Sequence, residues 1–283
     1  MHTSRRIITL MTPPTLTLAV FFLLPMVMMA VFSFRQGAFS PEREVFTLEH
    51  YAEFAANTAY QRLLGESALI ALIVSALAIL IAYPIAYFLA FHAGAMQLTL
   101  LTILIIPAWT SYLLRILAWK IILGTNGLLN SLLLSVGLIS EAAPILLYSQ
   151  TAVVVTLVYV WVPFVALPIF SALQRIDRSL LEAAADLGCT AWERFVRVTL
   201  PLSLPGVAAG FLFVFIPTLG EWVTPALVGG VQGTMYGNII QDQFVRALNW
   251  PLGSLMSLVM LALMLLLLAL FSRTVRLSDL AGV

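Results

Sequence analysis

Charge is scarce in this chain of 283 residues. Lysine and arginine together number 14, aspartate and glutamate 13, and the net charge is +1. Charged residues make up 10%, where a soluble domain carries about 25%. The near-neutral balance and the lack of a basic stripe argue against nucleic acid as a partner. Lysine is scarcer still: Lys120 stands alone, in LRILAWKII. A nucleotide-hydrolysing phosphate loop needs a lysine behind spaced glycines, and no glycine stands at the required spacing before Lys120, so the chain cannot be the ATPase. Gly229, Gly230 and Gly233 form a lone glycine cluster and read as a loop. The single cysteine, Cys189, excludes an intramolecular disulfide. His2, His50 and His92 are scattered, whereas a metal needs converging ligands. Nor does a serine–histidine–carboxylate set gather on one site. The chain does not read as an enzyme, and the residues assign it no metal, cofactor or catalytic group.

What fills the chain is apolar: 61% hydrophobic residues and a mean hydropathy of +1.03. It reads as an all-α membrane protein with six transmembrane helices embedded in the lipid bilayer, since about 20 apolar residues cross a hydrocarbon core. The expected spans are 7–34, 67–91, 98–123, 150–173, 205–228 and 252–271, within one domain covering 1–283. Arg5 and Arg6 precede the first run, which is longer than the apolar core of a signal peptide. Pro13, Pro14 and Pro25 should distort that helix, and Pro84 should kink the second. Residues 35–65 read as a polar loop with a short surface helix around Tyr51 and Phe54. Residues 124–147 read as a loop with a short apolar helix, and 229–250 as a loop. Eight arginines (Arg5, Arg6, Arg175, Arg178, Arg194, Arg197, Arg273 and Arg276) fall on the side of the termini, and four (Arg35, Arg43, Arg62 and Arg246) fall opposite. That excess places both termini in the cytoplasm.

Between the fourth and fifth spans lies a polar interruption, 174–201. Ser179 with Glu182, and Thr190 with Glu193, have capping-box spacing. Gly188 stands between them, where a helix end favours left-handed backbone. Leu180, Leu181, Ala184 and Leu187 make one apolar stripe, and Trp192, Phe195, Val196 and Thr199 another. Glu182 and Asp186 share a face. Pro201 and Pro205 are expected to end the second helix. By residue type alone, this is an amphipathic hairpin at the membrane surface.

Ionisable groups within spans are costly, about 2.5–3.5 kcal/mol at the bilayer centre, and point to function. Arg115 lies in the third span, where its side chain either snorkels outward or faces a path. Glu221 follows Pro217-Thr218-Leu219-Gly220 in the fifth. Either it pairs with Arg115, or it meets a cationic solute in company with Trp222, Trp109 and Tyr112, whose aromatic faces attract ammonium groups.

Glu182-Ala183-Ala184, then Gly188, then Val198-Thr199-Leu200-Pro201 after nine residues, resembles the EAA signature of ABC importer permeases, with Val198 in place of isoleucine. Ile106-Pro107-Ala108-Trp109 through Arg115, Gly124 through Asn130, Ile216 through Gly230 and Gly237 through Phe244 resemble spermidine/putrescine permeases, though Asp242 stands where an amide is expected. Opine importers are similar. The resemblance covers most of 66–272. It implies the type I ABC importer permease (MetI-like) fold in a bacterial inner membrane, and polyamine import by alternating access. It further implies coupling to a separate ATPase dimer through Glu182, Ala183, Ala184, Asp186, Gly188, Leu200 and Pro201. ATP and magnesium would lie on that ATPase. A second permease, identical or homologous, and a periplasmic solute-binding protein would complete the assembly. Asp242 joins Glu221, Trp222, Trp109, Tyr112 and Arg115 as an implied path residue. The alternatives from other classes are an ion-gradient transporter and a membrane scaffold.

Overall fold

A computed structural model describes the backbone of residues 2–141 and 147–274 and the side chains of 11–141 and 147–271. Arg276, used in the charge count, lies outside the described residues, as do the side chains of Arg5, Arg6 and Arg273. Every regular element described is helical, apart from an isolated bridge between Arg35 and Phe46. In order these are α1 (His2–Ser33), α2 (Glu49–Ala56), α3 (Thr58–Phe91), α4 (Gln97–Ile105), α5 (Tyr112–Leu123) and α6 (Leu128–Ser135). There follow α7 (Gln150–Gln174), α8 (Arg178–Asp186), α9 (Ala191–Arg194), α10 (Leu200–Leu219), α11 (Tyr236–Val245) and α12 (Trp250–Thr274). Among the described residues six helical runs are long and apolar enough to cross a membrane: Met11–Ser33, Thr58–Phe91, Tyr112–Ser135, Gln150–Gln174, Ala191–Leu219 and Trp250–Phe271.

The chain divides into two units. One contains the residues up to Arg62 together with Ile239–Leu265, and the other Leu63–Asn238 with the residues after Leu265. In the first, α1 exposes Leu18, Phe21 and Phe22, an apolar surface suited to lipid. The prolines Pro13, Pro14 and Pro25 lie inside α1 without interrupting it. Thr17 donates its hydroxyl to the Pro13 carbonyl at 2.9 Å. α2 forms where a short surface helix is expected, and α3 begins well ahead of residue 67.

The second unit holds the core. α3 buries Ile70, Val74, Ala78, Ala82 and Ala86, a row at four-residue spacing. α7 answers with Val153, Leu157, Val165, Ala166, Ile169 and Leu173. α7 and α10 pack extensively against each other. The reason is legible in the residues. Gly206 and Gly210 lie four apart, and small residues at that spacing let helix backbones approach. A Cβ on Gly206 would stand 2.5 Å from the Pro168 carbonyl oxygen and from the Ala172 Cβ.

Three sequence expectations need correction. The third span is not one helix over 98–123. α4 tightens into a 3-10 turn at Ile106–Trp109 and stops; Thr110 and Ser111 are extended; and α5 starts afresh. The membrane-length run is Tyr112–Ser135, and Gly94–Trp109 is a shorter apolar helix. Pro107 tightens the chain there, and Thr110 caps it by donating its hydroxyl to the Pro107 carbonyl at 2.7 Å. Next, the fifth span neither begins at Pro205 nor reaches 228. It runs continuously from Ala191 and ends at Leu219. Pro201 and Pro205 do not end the helix. A π-helical segment at Phe195–Thr199 precedes Pro201, which falls in the first turn of α10, where a missing N–H costs least. Lastly, 229–250 is not a plain loop, since it contains α11.

Candidate functional site

Two places carry the candidate residues, and the helical run Ala191–Leu219 leads from one to the other.

The first is the hairpin after α7. Its opening cap is Asp177, not Ser179: the Asp177 carboxylate accepts from the Ser179 N–H at 2.9 Å. That hydrogen bond from Ser179 holds the Asp177 carboxyl below the usual aspartate range. Gly188 adopts φ +83°, and the Cys189 N–H reaches back to the Ala184 carbonyl at 3.0 Å, which closes the end of α8. The second capping box forms as its spacing predicts. The Thr190 N–H donates to Glu193 at 2.8 Å, and the Glu193 N–H donates to the Thr190 hydroxyl at 3.3 Å. Ala184 is buried, whereas Glu182, Ala183, Asp186 and Gly188 are exposed. Beside them Leu187 is 85% exposed and Trp192 71%. Large apolar groups exposed among carboxylates make a surface suited to a protein partner. Leu200 and Pro201 lie at the entry to α10, so the C-terminal end of the motif is the root of a membrane helix.

The second place is where two helices are interrupted. α5 begins at Tyr112, just after the break at Thr110–Ser111. α10 ends at Leu219, and Gly220, Glu221 and Trp222 carry the chain into a π-helical turn at Pro225–Gly229. Glu221, 8% exposed, ties the two together. One of its oxygens, Oε1, accepts from the N–H groups of Val223 and Thr224 at 2.8 and 3.1 Å and so caps the turn that follows. The other, Oε2, accepts from the Tyr112 hydroxyl at 2.5 Å. That hydroxyl also meets the Thr224 hydroxyl at 2.9 Å. Asn238 donates its amide to the Trp222 carbonyl at 2.7 Å and holds the same stretch from α11.

Arg115 and Glu221 make no ion pair within 4.0 Å. Arg115 is 9% exposed, so its side chain does not snorkel into water. Its Nη1 approaches the Val160 carbonyl at 3.4 Å, and its Nε is buried without a partner. It lines an apolar cleft of about 650 Å³ with Leu77, Pro107, Trp119, Tyr159 and Pro163. Tyr112, Glu221 and Trp222 thus come together, with Arg115 beyond the Tyr112 ring, its Cζ 5.8 Å from the centroid. Trp109 is 83% exposed. Asp242 belongs to the other unit and pairs with Arg246 at 3.4 Å. Sequence reasoning missed Thr224 and Asn238, both short polar residues inside the quoted motifs. Among the described residues no three histidine, cysteine or carboxylate groups cluster as a metal site would require.

Comparison with known proteins fits this geometry. The sequence pattern of the family described as "Binding-protein-dependent transport system inner membrane component" matches residues 3–279. The chain is 38% identical over 264 residues to the spermidine/putrescine transport system permease protein PotB of Salmonella typhimurium, covering 93% of this chain and 91% of that one. PotB of Escherichia coli K12 is 37% identical, with 93% and 95% covered. Among solved structures, a chain of a bacterial alginate ABC transporter, in complex with an alginate-bound periplasmic protein, superposes with a TM-score of 0.70. It is 15% identical, with 98% of this chain and 96% of that chain covered, a likeness of fold.

Proposed function

The chain belongs to the family of inner-membrane components of binding-protein-dependent transport systems, as a multi-pass permease subunit of an ABC importer, and from that membership we propose that it forms part of an import path for polyamines. Its relatives named for spermidine and putrescine transport support the solute class. The observation that carries the reading is Glu221: a carboxylate at a helix break, with no basic side chain within 4.0 Å and with aromatic Tyr112 and Trp222 beside it. At an effective dielectric near 20, a carboxylate about 4 Å from an ammonium attracts it by roughly 4 kcal/mol before desolvation. A fraction of that favours a cation over a neutral solute.

The hairpin at 174–201 supports docking of a separate ATPase dimer, which would carry ATP and magnesium. The exposed Glu182, Ala183, Asp186 and Leu187 supply the contact. The run Ala191–Leu219 has 29 residues and so spans about 44 Å. A push at Trp192 reaches Gly220 and Glu221 without crossing a loop. Alternating access then follows from ATP-driven movement of the hairpin carried along this rod. A second permease and a periplasmic solute-binding protein complete the assembly, with both termini of the chain in the cytoplasm.

The experiment is uptake by the reconstituted complex, using labelled putrescine, spermidine, opines and amino acids, in wild type and Glu221→Gln. Polyamine uptake is expected in the wild type, and a drop is expected in the variant with assembly and basal ATP hydrolysis retained. Preference for an amino acid or an opine overturns the polyamine assignment. Unchanged uptake in the variant removes Glu221 from the path.

A further inference from the structure

We propose that Tyr112 is a specificity-determining residue of the path: its hydroxyl occupies the oxygen of Glu221 that an ammonium would take, so only a cationic solute parts the two interrupted helices. This rests on the reading of the chain as a permease for cations.

The two oxygens of Glu221 have separate duties. Oε1 is engaged by the Val223 and Thr224 N–H groups of its own segment and stays with it. Oε2 is given to Tyr112, on the other interrupted helix. Tyr112 has one proton, and it goes to Glu221. The hydroxyl oxygen therefore accepts from Thr224, and a single directed chain runs from Thr224 through Tyr112 to Glu221. The chain joins the break before α5 to the break after α10 through side chains that a solute can rival. Tyr112 is only half-buried, and Trp222, next to Glu221, is 45% exposed. An ammonium offers a charge-assisted hydrogen bond, stronger than the one a neutral phenol gives a carboxylate. A solute hydroxyl offers no more than the phenol does and gains nothing by exchange. A ligand shifts an equilibrium only by its differential affinity for the two states, and here that difference is the ammonium's charge. Once Oε2 is taken, Tyr112 and Thr224 lose their common partner, and the segment after α10 is free to move relative to α5.

The test is amide exchange across residues 220–230 in the purified complex, with putrescine or with the neutral 1,4-butanediol, in wild type and Tyr112→Phe. Putrescine is expected to speed exchange about threefold or more in the wild type, as a local opening does, and the diol to leave it unchanged. Tyr112→Phe is expected to exchange at the faster rate without solute and to gain nothing from putrescine. A merely structural tyrosine would not move the solute dependence. If the wild-type complex imports putrescine while its exchange ignores it, the proposal is overturned and the cation reading stands. If the complex imports no amine at all, the cation reading falls and takes the proposal with it. Should Tyr112→Phe fail to assemble, Thr224→Val breaks the same chain. Wild-type exchange and solute response in that variant overturn the proposal, and faster exchange without solute supports it.

Discussion

Phe195 stands edge-on to Tyr83, with ring centroids 5.7 Å apart and planes 88° apart. Phe195 sits in the π-helical segment that leads into α10, and Tyr83 is buried on α3. The Tyr83 hydroxyl continues the link to the buried Ser203 hydroxyl at 2.8 Å. The base of the hairpin is therefore keyed into the membrane core at this point.

Tyr83→Phe keeps the ring and deletes the hydroxyl. It is expected to cost about 1 kcal/mol, the net worth of one hydrogen bond. Phe195→Ala removes the contacts with Tyr83, Tyr87 and Trp192 and should cost about 2–3 kcal/mol, less than the roughly 3–5 kcal/mol of a fully buried phenylalanine because Phe195 is only half-buried. Thermal unfolding in detergent ranks the two. Equal midpoints would mean that the ring contact is idle.

Gly188 has open space around its Cβ position, so a substitution there meets backbone strain alone. Gly188→Val should be harmful and Gly188→Asn mild, since asparagine tolerates the left-handed region. The penalty for valine is about 1–2 kcal/mol. Recovery of the proposed ATPase partner with the purified chain measures it, and equal recovery for both variants contradicts the conformational argument.

Asp177 links the hairpin to pH. Its carboxyl is held below the usual range in the folded state by the Ser179 hydrogen bond. A depressed folded value stabilises the cap above the unfolded value, and that stabilisation is lost as pH falls through the folded one. Exchange protection of Arg178–Asp186, corrected for intrinsic rates, should therefore decline from about pH 4 downward. Asp177→Asn keeps an acceptor oxygen but does not titrate, so its profile should be flat over that range. A wild-type profile as flat as the variant's would refute the linkage.

Two helical glycines, one in the α7–α10 contact and one in α3, face opposite demands. Gly206→Ala forces a methyl against the Pro168 carbonyl and Ala172 and should destabilise by about 1–3 kcal/mol. Gly65→Ala, in α3, meets nothing within 4 Å and should stabilise by about 0.5–1 kcal/mol. Melting temperatures moving in opposite directions are the expected result. A fall in both would place an unseen constraint on Gly65.

Hydropathy locates most of the membrane helices because each is a long run whose apolar character does not depend on its neighbours. It fails at the third, where Leu98–Leu123 is apolar enough to read as one span despite Arg115 and Lys120, and only Pro107 and Thr110-Ser111 mark the interruption. Proline misleads at Pro201, because a ring that breaks a regular helix is harmless in a first turn following a π segment. Gly188 and the Thr190–Glu193 box are legible because caps are local chemistry. The Tyr112–Glu221 hydrogen bond joins residues 109 apart, and nothing in either segment names the other. Of the two alternatives open for Glu221, the pair with Arg115 does not form within 4.0 Å; the Tyr112 hydroxyl holds the carboxylate instead.

The π-helical turn at Phe195–Thr199 has a geometric consequence for the hairpin. It fits an additional residue into one turn, and each residue of an α-helix advances the winding by about 100°. The turn therefore works as a phase shifter between shaft and handle: it sets the compass bearing of Trp192 relative to Gly206 and Gly210. Deleting one residue from this turn would let the helix rewind to regular pitch. Trp192 would then swing about a quarter-turn around the axis, while the composition and hydropathy of the stretch stayed nearly the same.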